Sequence, residues 1–565
     1  MTNGTFRKRI VRRETDSTLP ADSPLLDRLY AARGVSDPAE LDHRLAGILP
    51  PNALLGGDEA AQILRTAIEA DASILIVGDF DADGATSCAL MVSALRAMGA
   101  ANVNYLVPDR FRFGYGLSPE IVDVATSFQP DLIVTVDNGI ASVTGVARAN
   151  TLGVEVIITD HHLPGDELPA AAAIVNPNQA GCNFPSKALA GVGVAFYLLS
   201  LVRAQLRDTG WFETRQEPNL ADWLDLVALG TVADVVPLDN NNRRLVAEGI
   251  RRIRAGRLRP GLMALLQVAG VNPEMLTTRD LAFSIAPRLN AAGRLQDMSL
   301  GIECLLATAE RAGELAQRLD ELNLERREIE ANMRDEAMAL VQNLDIEAEK
   351  AAGICLFRDA WHEGVVGIIA ARVRERTHRP TIAFARVEGG ELKGSGRSIP
   401  GLHLRDTLDA IATRHPDLLI RFGGHAMAAG LSLRQADLPA FEQAFDVEVR
   451  QRAGEARFEQ VVVTDGELGE PITLALARTI ETAAPWGQGF PEPEFDDEFE
   501  VLEQRIVGGR HLKLLLQPRL GEAVEAISFN QGGLLENRRV RCAYRIEVNR
   551  YRGWEKPQLV VSLIV

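Results

Sequence analysis

The sequence is poor in the features that mark secreted, zinc-binding and membrane proteins. Its five cysteines are scattered over 565 residues, and no two of them form a C-x-x-C pair. Such spacing fits reduced cytoplasmic thiols and offers no structural zinc site. The longest apolar stretch, 188–202, is shorter than a bilayer span and is interrupted by Gly191 and Gly193. We therefore expect a cytoplasmic protein that does not bind membranes.

Positive charge is not in excess either. The formal net charge is −17 at pH 7, from 60 basic and 77 acidic residues. This balance argues against a broad basic surface for nucleic acid, although a local basic channel beside bound metal ions remains compatible with it. Residues 6–13 are basic, but no apolar segment follows them, so no signal peptide is expected.

The order of sequence patterns predicts several domains, because 565 residues exceed what one hydrophobic core supports. Apolar strands alternate with helical patterns between about 55 and 240, which indicates an α/β domain built on a parallel sheet. A long amphipathic helix and a second α/β segment follow. The candidate strands of the first sheet begin at Ile74, Val103, Leu132, Val154 and Ala173.

An acidic turn follows the first of these strands. The apolar run 74–77 leads into Asp79, Asp81 and Asp83 at alternate positions, and a helical pattern begins after Gly84. Three carboxylates so close together repel one another unless a divalent cation is bound. A calcium loop of the EF-hand type is excluded, because its twelfth position requires Glu and is Leu90 here. A solvated acidic turn is the remaining alternative.

Two later strands also end in polar residues. Asp137 follows the strand at 132–136, and Asp160, His161 and His162 follow the strand at 154–159. Ligands of open α/β sheets bind beyond the carboxyl ends of the strands, so these side chains are expected to converge with the acidic turn. Carboxylates with one or two imidazoles favour Mn²⁺ or Mg²⁺.

The combination of these motifs resembles the DHH phosphoesterase superfamily. The resemblance rests on the segments 78–84, 136–139 and 160–162. Two more segments, 107–116 and 228–238, are similar to those of the bacterial single-strand-specific 5′→3′ DNA exonucleases of this superfamily. The match extends from about residue 50 to the C-terminus.

The resemblance implies five segments and a fold class. The class is α/β, with a parallel-sheet DHH catalytic domain, a long connecting helix, a second α/β DHH-associated domain and a C-terminal OB-fold β-barrel. The segments are an N-terminal tail with a short helical segment (1–50), the DHH catalytic domain (51–300), the connecting helix (301–348), the DHH-associated domain (349–452) and the nucleic-acid-binding barrel (453–565).

The resemblance also implies a centre with two ions, Mn²⁺ or Mg²⁺. One ion would be held by Asp79, Asp81 and Asp83, and the other by Asp83, Asp137, His161 and Asp234, with Asp83 bridging. Asp160 would orient the histidines, and His162 would contact the phosphate or act as an acid. The catalytic set is then Asp83, Asp160, His161 and His162. For Asp234, in an apolar segment expected to be a loop, a helix cap is the structural alternative.

Substrate contacts are expected from both α/β domains. Glycine-rich turns in the second domain allow backbone N–H groups to approach phosphate oxygens. Relatives often carry three glycines before the histidine of the last turn, whereas Phe422 takes the first of these positions here. For any single arginine a surface ion pair is the alternative. The predicted substrate-binding residues are Arg110, Tyr115, Arg288, Arg294, His362, Ser395, Arg397 and His425.

The long helix and the barrel each leave an alternative open. Apolar residues at near-heptad spacing from Leu315 to Leu344 indicate a strut packed between lobes, with coiled-coil dimerisation as the alternative. In the barrel, charged and aromatic residues could track a single strand by stacking, although core packing is an equal alternative for Tyr544. These residues are Arg510, Lys513, Tyr544, Arg545, Tyr551 and Trp554.

The resulting hypothesis is a metal-dependent 5′→3′ exonuclease that hydrolyses single-stranded DNA to mononucleotides in repair and recombination. We expect a monomer, with a single-stranded-DNA-binding protein and a helicase as candidate partners. One alternative is a DHH phosphodiesterase for small substrates, but such relatives generally end after two lobes. Another is an inactive replication scaffold, which should have lost ligands that this sequence retains.

Overall fold

The structure is a computed structural model, and it describes residues 8–14, 23–109, 113, 116–344, 351–387, 390–453, 460–551 and 553–565. They form two compact units. The first comprises Arg12–Asn323 with Val463–Ile564, and the second is built mainly from Leu324–Val462. Among the described residues, no helix combines the length and apolarity needed to cross a bilayer.

The first unit contains a five-stranded parallel sheet. Its spatial order is Val103–Leu106, Ile74–Gly78, Leu132–Val136, Glu155–Thr159 and Ala173–Val175. The chain enters at the second of these strands, crosses to the edge strand, and then returns to the other side. This reversal is the point at which open α/β sheets bind ligands. All five strands agree with the sequence prediction, with one start displaced by a residue.

Helices cover this sheet and extend the first unit. The central strands Ile74–Gly78 and Leu132–Val136 are buried along their whole length, as expected for a sheet covered on both faces. The helices are Pro24–Ala31, Gly57–Glu69, Ala82–Ala97, Pro119–Ala125, Val143–Thr151, Gly191–Asp208, Leu224–Ala233, Asn240–Arg254, Pro260–Val268, the π-helix Leu281–Ile285, Ala286–Leu295 and Ser299–Leu306.

The long helix Ala309–Leu344 begins in the first unit and ends in the second. Its apolar positions are used within the chain. Leu315, Leu319 and Leu322 belong to the main core of the first unit, whereas Ile329 and Met333 pack in a core of the second. Among the described side chains, these heptad positions thus pack in the core of one unit or the other, and the strut stays a prediction.

The second unit has a mixed five-stranded sheet. The order is Arg421–Gly424, Ala428–Arg434, Glu391–Arg397, Thr381–Arg386 and Ile354–Phe357, and only the last two strands pair in parallel. Its helices are Val366–Thr377, Leu404–Arg414 and Leu438–Ala453. A two-stranded ribbon, Lys8–Arg12 with Gln460–Thr464, precedes the return of the chain to the first unit.

The C-terminal part of the first unit is a closed five-stranded barrel, as predicted. The strands are Phe495–Val507, His511–Pro518, Val524–Ser528, Arg539–Tyr551 and Trp554–Ile564, and the helix Leu474–Ala483 precedes them. Closure removes the exposed edges that an open sheet would leave.

Candidate metal centre

The acidic turn is tied into the fold by its own side chains. Asp81 caps the helix Ala82–Ala97, and its Oδ1 accepts the N–H groups of Asp83 (2.9 Å) and Gly84 (3.0 Å). The helix therefore begins three residues earlier than the predicted start at Ala85. The carboxylate of Asp79, which follows the buried strand, is also buried.

Asp83 lies wholly inside the protein and joins two helices. Its carboxylate accepts the N–H of Gly191 at 2.6 Å and the N–H of Val192 at 3.0 Å, at the start of the helix Gly191–Asp208. The partial positive charge of a helix N-terminus stabilises a carboxylate in this position. Asp83 therefore has a fixed orientation in the folded chain.

Asp137 is held in a backbone conformation that is unusual for its residue type. Its φ is 62°, and Gly139 follows with a φ of 116°. The amide of Asn138 fixes this turn by donating to the carbonyls of Val77 (3.1 Å) and Val136 (2.9 Å). Left-handed conformations away from glycine persist where the surroundings impose them, and they concentrate at functional sites.

Asp160 organises the two histidines that follow it. It is fully buried and accepts three backbone N–H groups, from Ile140, His161 and His162, as well as Nδ1 of His162 at 2.8 Å. Burial alone would lower the pKa of His162, but the bond to Asp160 and nearby carboxylates raise it above its ordinary value. The bond to Asp160 therefore stabilises the protonated form of the His162 imidazole.

His161 faces the other carboxylates. Its Nε2 lies 3.1 Å from Oδ1 of Asp137 and 3.4 Å from Oδ2 of Asp234. The backbone carbonyls of His161 and His162 accept the side-chain amides of Asn178 (2.6 Å) and Asn176 (2.9 Å), which anchor the loop. The structure thus brings Asp137, His161 and Asp234 together from three separate chain segments.

Asp234 ends a helix instead of lying in the predicted loop. The helix Leu224–Ala233 takes in the first three residues of the segment 231–236, and Asp234 is its C-terminal capping position. Next to it, Val235 is 62% exposed and has a φ of 60°. A β-branched residue in the left-handed region is strained, so the turn that follows Asp234 is imposed by the fold.

The clustered carboxylates destabilise one another in the absence of a cation. Burial first, and then the charges of Asp83 and Asp81, raise the pKa values of Asp137 and Asp234 well above the usual range. Donor atoms lie within 4.8 Å of one another in three groups: Asp137 with both histidines, Asp83 with His161 and Asp234, and Asp79 with Asp81 and Asp137. Oxygen donors with imidazole nitrogen fit Mn²⁺ or Mg²⁺. A divalent cation here would remove the repulsion.

Asp137 belongs to two of the three groups of donor atoms, which differs from the expected ligand sets. Asp137 lies with Asp79 and Asp81 as well as with the histidines, whereas the resemblance places it with the second ion alone. The bridging role assigned to Asp83 stays a prediction.

Several residues that support the centre were missed by the sequence reasoning. A Cβ on Gly191 would lie 2.7 Å from Oδ1 of Asp137, and one on Gly230 would lie 2.7 Å from Oδ1 of Asp83. Asn290 accepts the N–H of Ala82 at 2.8 Å, and Gly293 packs against the carbonyl of Phe80. Of these residues, Gly230 lies in the segment 228–238, which the resemblance includes, but no role at the centre was predicted for it.

The predicted substrate-binding residues of the first unit are differently placed. Arg288 is interior: it forms an ion pair with Asp320 at 2.7 Å and donates to the carbonyl of Ser284. It therefore joins two helices, and a contact with substrate stays a prediction. Arg294 is partly exposed near the end of the helix Ala286–Leu295. Arg110 and Tyr115 lie outside the described residues.

The predicted residues of the second unit lie on its turns and on a strand. Arg397 donates from Nη1 to Oγ of Ser395 (3.2 Å) and to the carbonyl of Gly396 (2.9 Å). His362 accepts the N–H of Gly364 at 3.1 Å, and the ring of His425 is exposed.

In the barrel, part of the expected stacking surface is core. Tyr544 is 1% exposed and donates to Asp497 at 2.8 Å, so the core-packing alternative is the one observed. Lys513 pairs with Glu525 at 2.8 Å and Arg545 with Glu492 at 3.1 Å. Trp554, in contrast, is 76% exposed. The side chain of Tyr551 lies outside the described part of the chain.

The fold and the centre define a DHH phosphoesterase, and family models agree. The DHH family N-terminal domain matches residues 73–231, the DHHA1 domain matches 350–451, and the RecJ OB domain matches 464–562. The single-stranded-DNA-specific exonuclease RecJ of Salmonella typhimurium is 51% identical over 574 residues, covering 98% of this chain and 99% of that protein.

Solved structures give the same result. The crystal structure of RecJ from Thermus thermophilus in complex with Mn²⁺ has a TM-score of 0.81 at 31% identity, covering 99% of this chain and 79% of that one. Its complex with Mg²⁺ has a TM-score of 0.75 at 30% identity, covering 99% and 78%. The chain belongs to the RecJ family of DHH phosphoesterases. The resemblance and the fold class stated from the sequence are confirmed.

Proposed function

We propose that the chain is a Mn²⁺- or Mg²⁺-dependent exonuclease that removes mononucleotides from the 5′ end of single-stranded DNA, in repair and recombination. The observation that carries this proposal is the convergence of Asp137, His161 and Asp234 on the acidic turn, at the switch point of the sheet. The full-length similarity to exonucleases of this specificity supports the substrate class.

The residues that would hold the ions are Asp79, Asp81, Asp83, Asp137, His161 and Asp234. When bound, two such cations activate a water molecule and stabilise the leaving oxygen of an in-line displacement. In the chain itself, the N-terminus of the helix Gly191–Asp208 orients Asp83, and the strained turn orients Asp137. Because Asp160 accepts from Nδ1 of His162, the protonated ring can donate from Nε2 to the leaving oxygen.

Arg397 and Ser395 are proposed to bind a backbone phosphate in the second unit. Among the described side chains, no carboxylate forms an ion pair with Arg397, whose bonds go to two neutral oxygens. Burial and the charge of Arg374 lower its pKa. A guanidinium without an anionic partner retains donors for phosphate.

Location, partners and oligomeric state complete the proposal. Five free cysteines fit a reducing cytoplasm. A helicase and a single-stranded-DNA-binding protein are proposed partners, because a strand-specific enzyme needs its strand separated and accessible. We propose a monomer, since the heptad positions of the long helix pack within the chain. The five domain boundaries given above are proposed with it.

Digestion of end-labelled strands tests the function. With Mn²⁺ present, a 5′ label on single-stranded DNA should appear at once as a mononucleotide, whereas a 3′ label should pass through a ladder of shortening products. A blunt duplex should resist, and RNA of the same sequence measures the preference for DNA. The reverse labelling pattern, or equal digestion of the blunt duplex, would contradict the proposal.

Replacement of Arg397 by alanine should lower kcat/KM on single strands about 10- to 100-fold, because a charge-assisted bond to phosphate is worth about 1.5–3 kcal/mol. The loss should lie mainly in KM and should shrink as salt rises, since phosphate contacts are screened. Arg386→Ala is the matched control, because Arg386 pairs with Asp359 at 2.8 Å in the same unit. Equal kinetics of the two variants would remove Arg397 from the substrate site.

A further inference from the structure

Phe283 is conspicuously exposed. Its side chain is 70% accessible, the largest value for any phenylalanine among the described residues. It lies in the π-helix Leu281–Ile285, whose first and last residues are completely buried. The segment is thus anchored without Phe283. Short π-helical insertions are rare and occur frequently at functional sites, because the extra residue re-aims the side chains around it.

The chain on either side of Phe283 contacts the barrel and the acidic turn. Four residues before it, in the short helix Thr278–Asp280 that runs directly into the π-helix, Arg279 forms an ion pair with Glu547 on the barrel strand Arg539–Tyr551. Seven residues after it, Asn290 accepts the N–H of Ala82 inside the acidic turn. At about 1.5 Å per residue, Phe283 lies roughly 6 Å along the helical path from the barrel contact and roughly 10 Å from the metal-site contact.

We propose that Phe283 is a stacking platform for one base of the single strand, between the barrel and the metal centre. This inference rests on the proposed function and deepens it. An aromatic face accepts any base, which suits an enzyme that degrades strands without regard to sequence. Isolated apolar residues are common on protein surfaces. Phe283 differs from them because one continuous helical path links it to both the barrel and the acidic turn.

The stacking platform is a positioning residue, so its removal should affect binding more than chemistry. Phe283→Ala should raise KM for a 20-nucleotide strand about 10-fold and leave kcat within about 2-fold. Phe283→Trp should restore the wild-type KM, because tryptophan offers a larger face. The melting temperature of Phe283→Ala should be unchanged, since the side chain is mostly in water.

The matched control is Phe128→Ala. Phe128 is 37% exposed and precedes the strand Leu132–Val136. It therefore lies near the amino ends of the strands, whereas the metal centre lies beyond their carboxyl ends. Its kinetics should equal those of the wild type. A single abasic nucleotide, moved through the first eight positions from the 5′ end, then locates the base that stacks.

For the wild type, kcat/KM should be about 10-fold lower on the strand with one particular abasic position than on the unmodified strand. For Phe283→Ala, the same abasic position should cause no further decrease in kcat/KM. The stacking role would be overturned if the losses in kcat/KM from Phe283→Ala and from the abasic nucleotide multiplied at every position. It would also be overturned if Phe283→Ala had the same kinetics as Phe128→Ala. Either result would leave the proposed function intact. If the wild type with Mn²⁺ fails to degrade the unmodified strand, the proposed function is contradicted, and so is the stacking role that rests on it.

Discussion

Asp137→Asn is expected to lower kcat on single-stranded DNA by on the order of 10³-fold, which is about 4 kcal/mol of transition-state stabilisation. Asparagine is the appropriate replacement, because it tolerates the left-handed conformation in which Asp137 is held, at a φ of 62°. The substitution keeps the size of the side chain and removes its charge. A loss of activity can therefore be attributed to the metal centre.

The same substitution should not lower the stability of the metal-free protein, although it lowers the activity. Because the pKa of Asp137 is raised in the folded chain, its ionisation near pH 7 opposes folding when no metal is bound. This free-energy cost is absent at low pH, where Asp137 is protonated in both the folded and the unfolded chain. It grows as the pH rises above the pKa that Asp137 has in the unfolded chain. In EDTA at pH 7, Asp137→Asn should melt at or above the wild-type temperature.

Manganese should reverse this order. A ligand at 100 times its Kd stabilises the folded state by about 2.7 kcal/mol, and only the wild type should gain that amount. Asp123→Asn is the control, since Asp123 is an exposed residue of the same unit that pairs with Arg148 at 2.8 Å. A variant with wild-type turnover, or one that gains full stability from Mn²⁺, would exclude Asp137 as a ligand.

Gly230→Ala is expected to damage both the fold and the activity. In an open helix this change stabilises by about 1 kcal/mol. Here the new Cβ would lie 2.3 Å from Oγ1 of Thr86, 2.7 Å from Oδ1 of Asp83 and 2.7 Å from Cγ1 of Val192. Overpacking costs about 1–3 kcal/mol, so the clash outweighs the gain in helix propensity.

The activity should fall about 10- to 100-fold, because the displaced Asp83 no longer meets the N–H groups of Gly191 and Val192. Gly313→Ala is the matched control: that glycine also lies within a helix, and its Cβ would meet nothing within 4 Å. It should stabilise by about 0.5–1 kcal/mol without changing kcat. Chemical denaturation of both variants measures the difference, and a stabilised, fully active Gly230→Ala would refute the packing account.

The parts of the centre that could be predicted are those encoded locally. An apolar strand followed by Asp79, Asp137 or Asp160 is visible in a few residues, and parallel strands bring their ends to one edge. The barrel could be predicted equally well, because the alternation of apolar and polar residues and the turn residues are short-range signals.

The remaining parts depend on contacts between distant segments. Gly191 and Gly230 are small because carboxylates from other elements approach them, and no local pattern records such an approach. Arg288 was predicted to bind substrate, and its ion pair with Asp320 on another helix could not be read from the sequence. Tyr544 alternates in a strand like any amphipathic residue, and only closure of the barrel decides which face is buried.

The central claim is that the acidic and histidine side chains around Asp83 hold the catalytic ions. The most direct measurement is anomalous diffraction at the manganese edge from crystals of the wild-type chain grown with Mn²⁺. The account predicts two peaks enclosed by Asp79, Asp81, Asp83, Asp137, His161 and Asp234, with the second ion lost in Asp137→Asn. Manganese bound elsewhere in an active enzyme, with no peak among these six side chains, would contradict it.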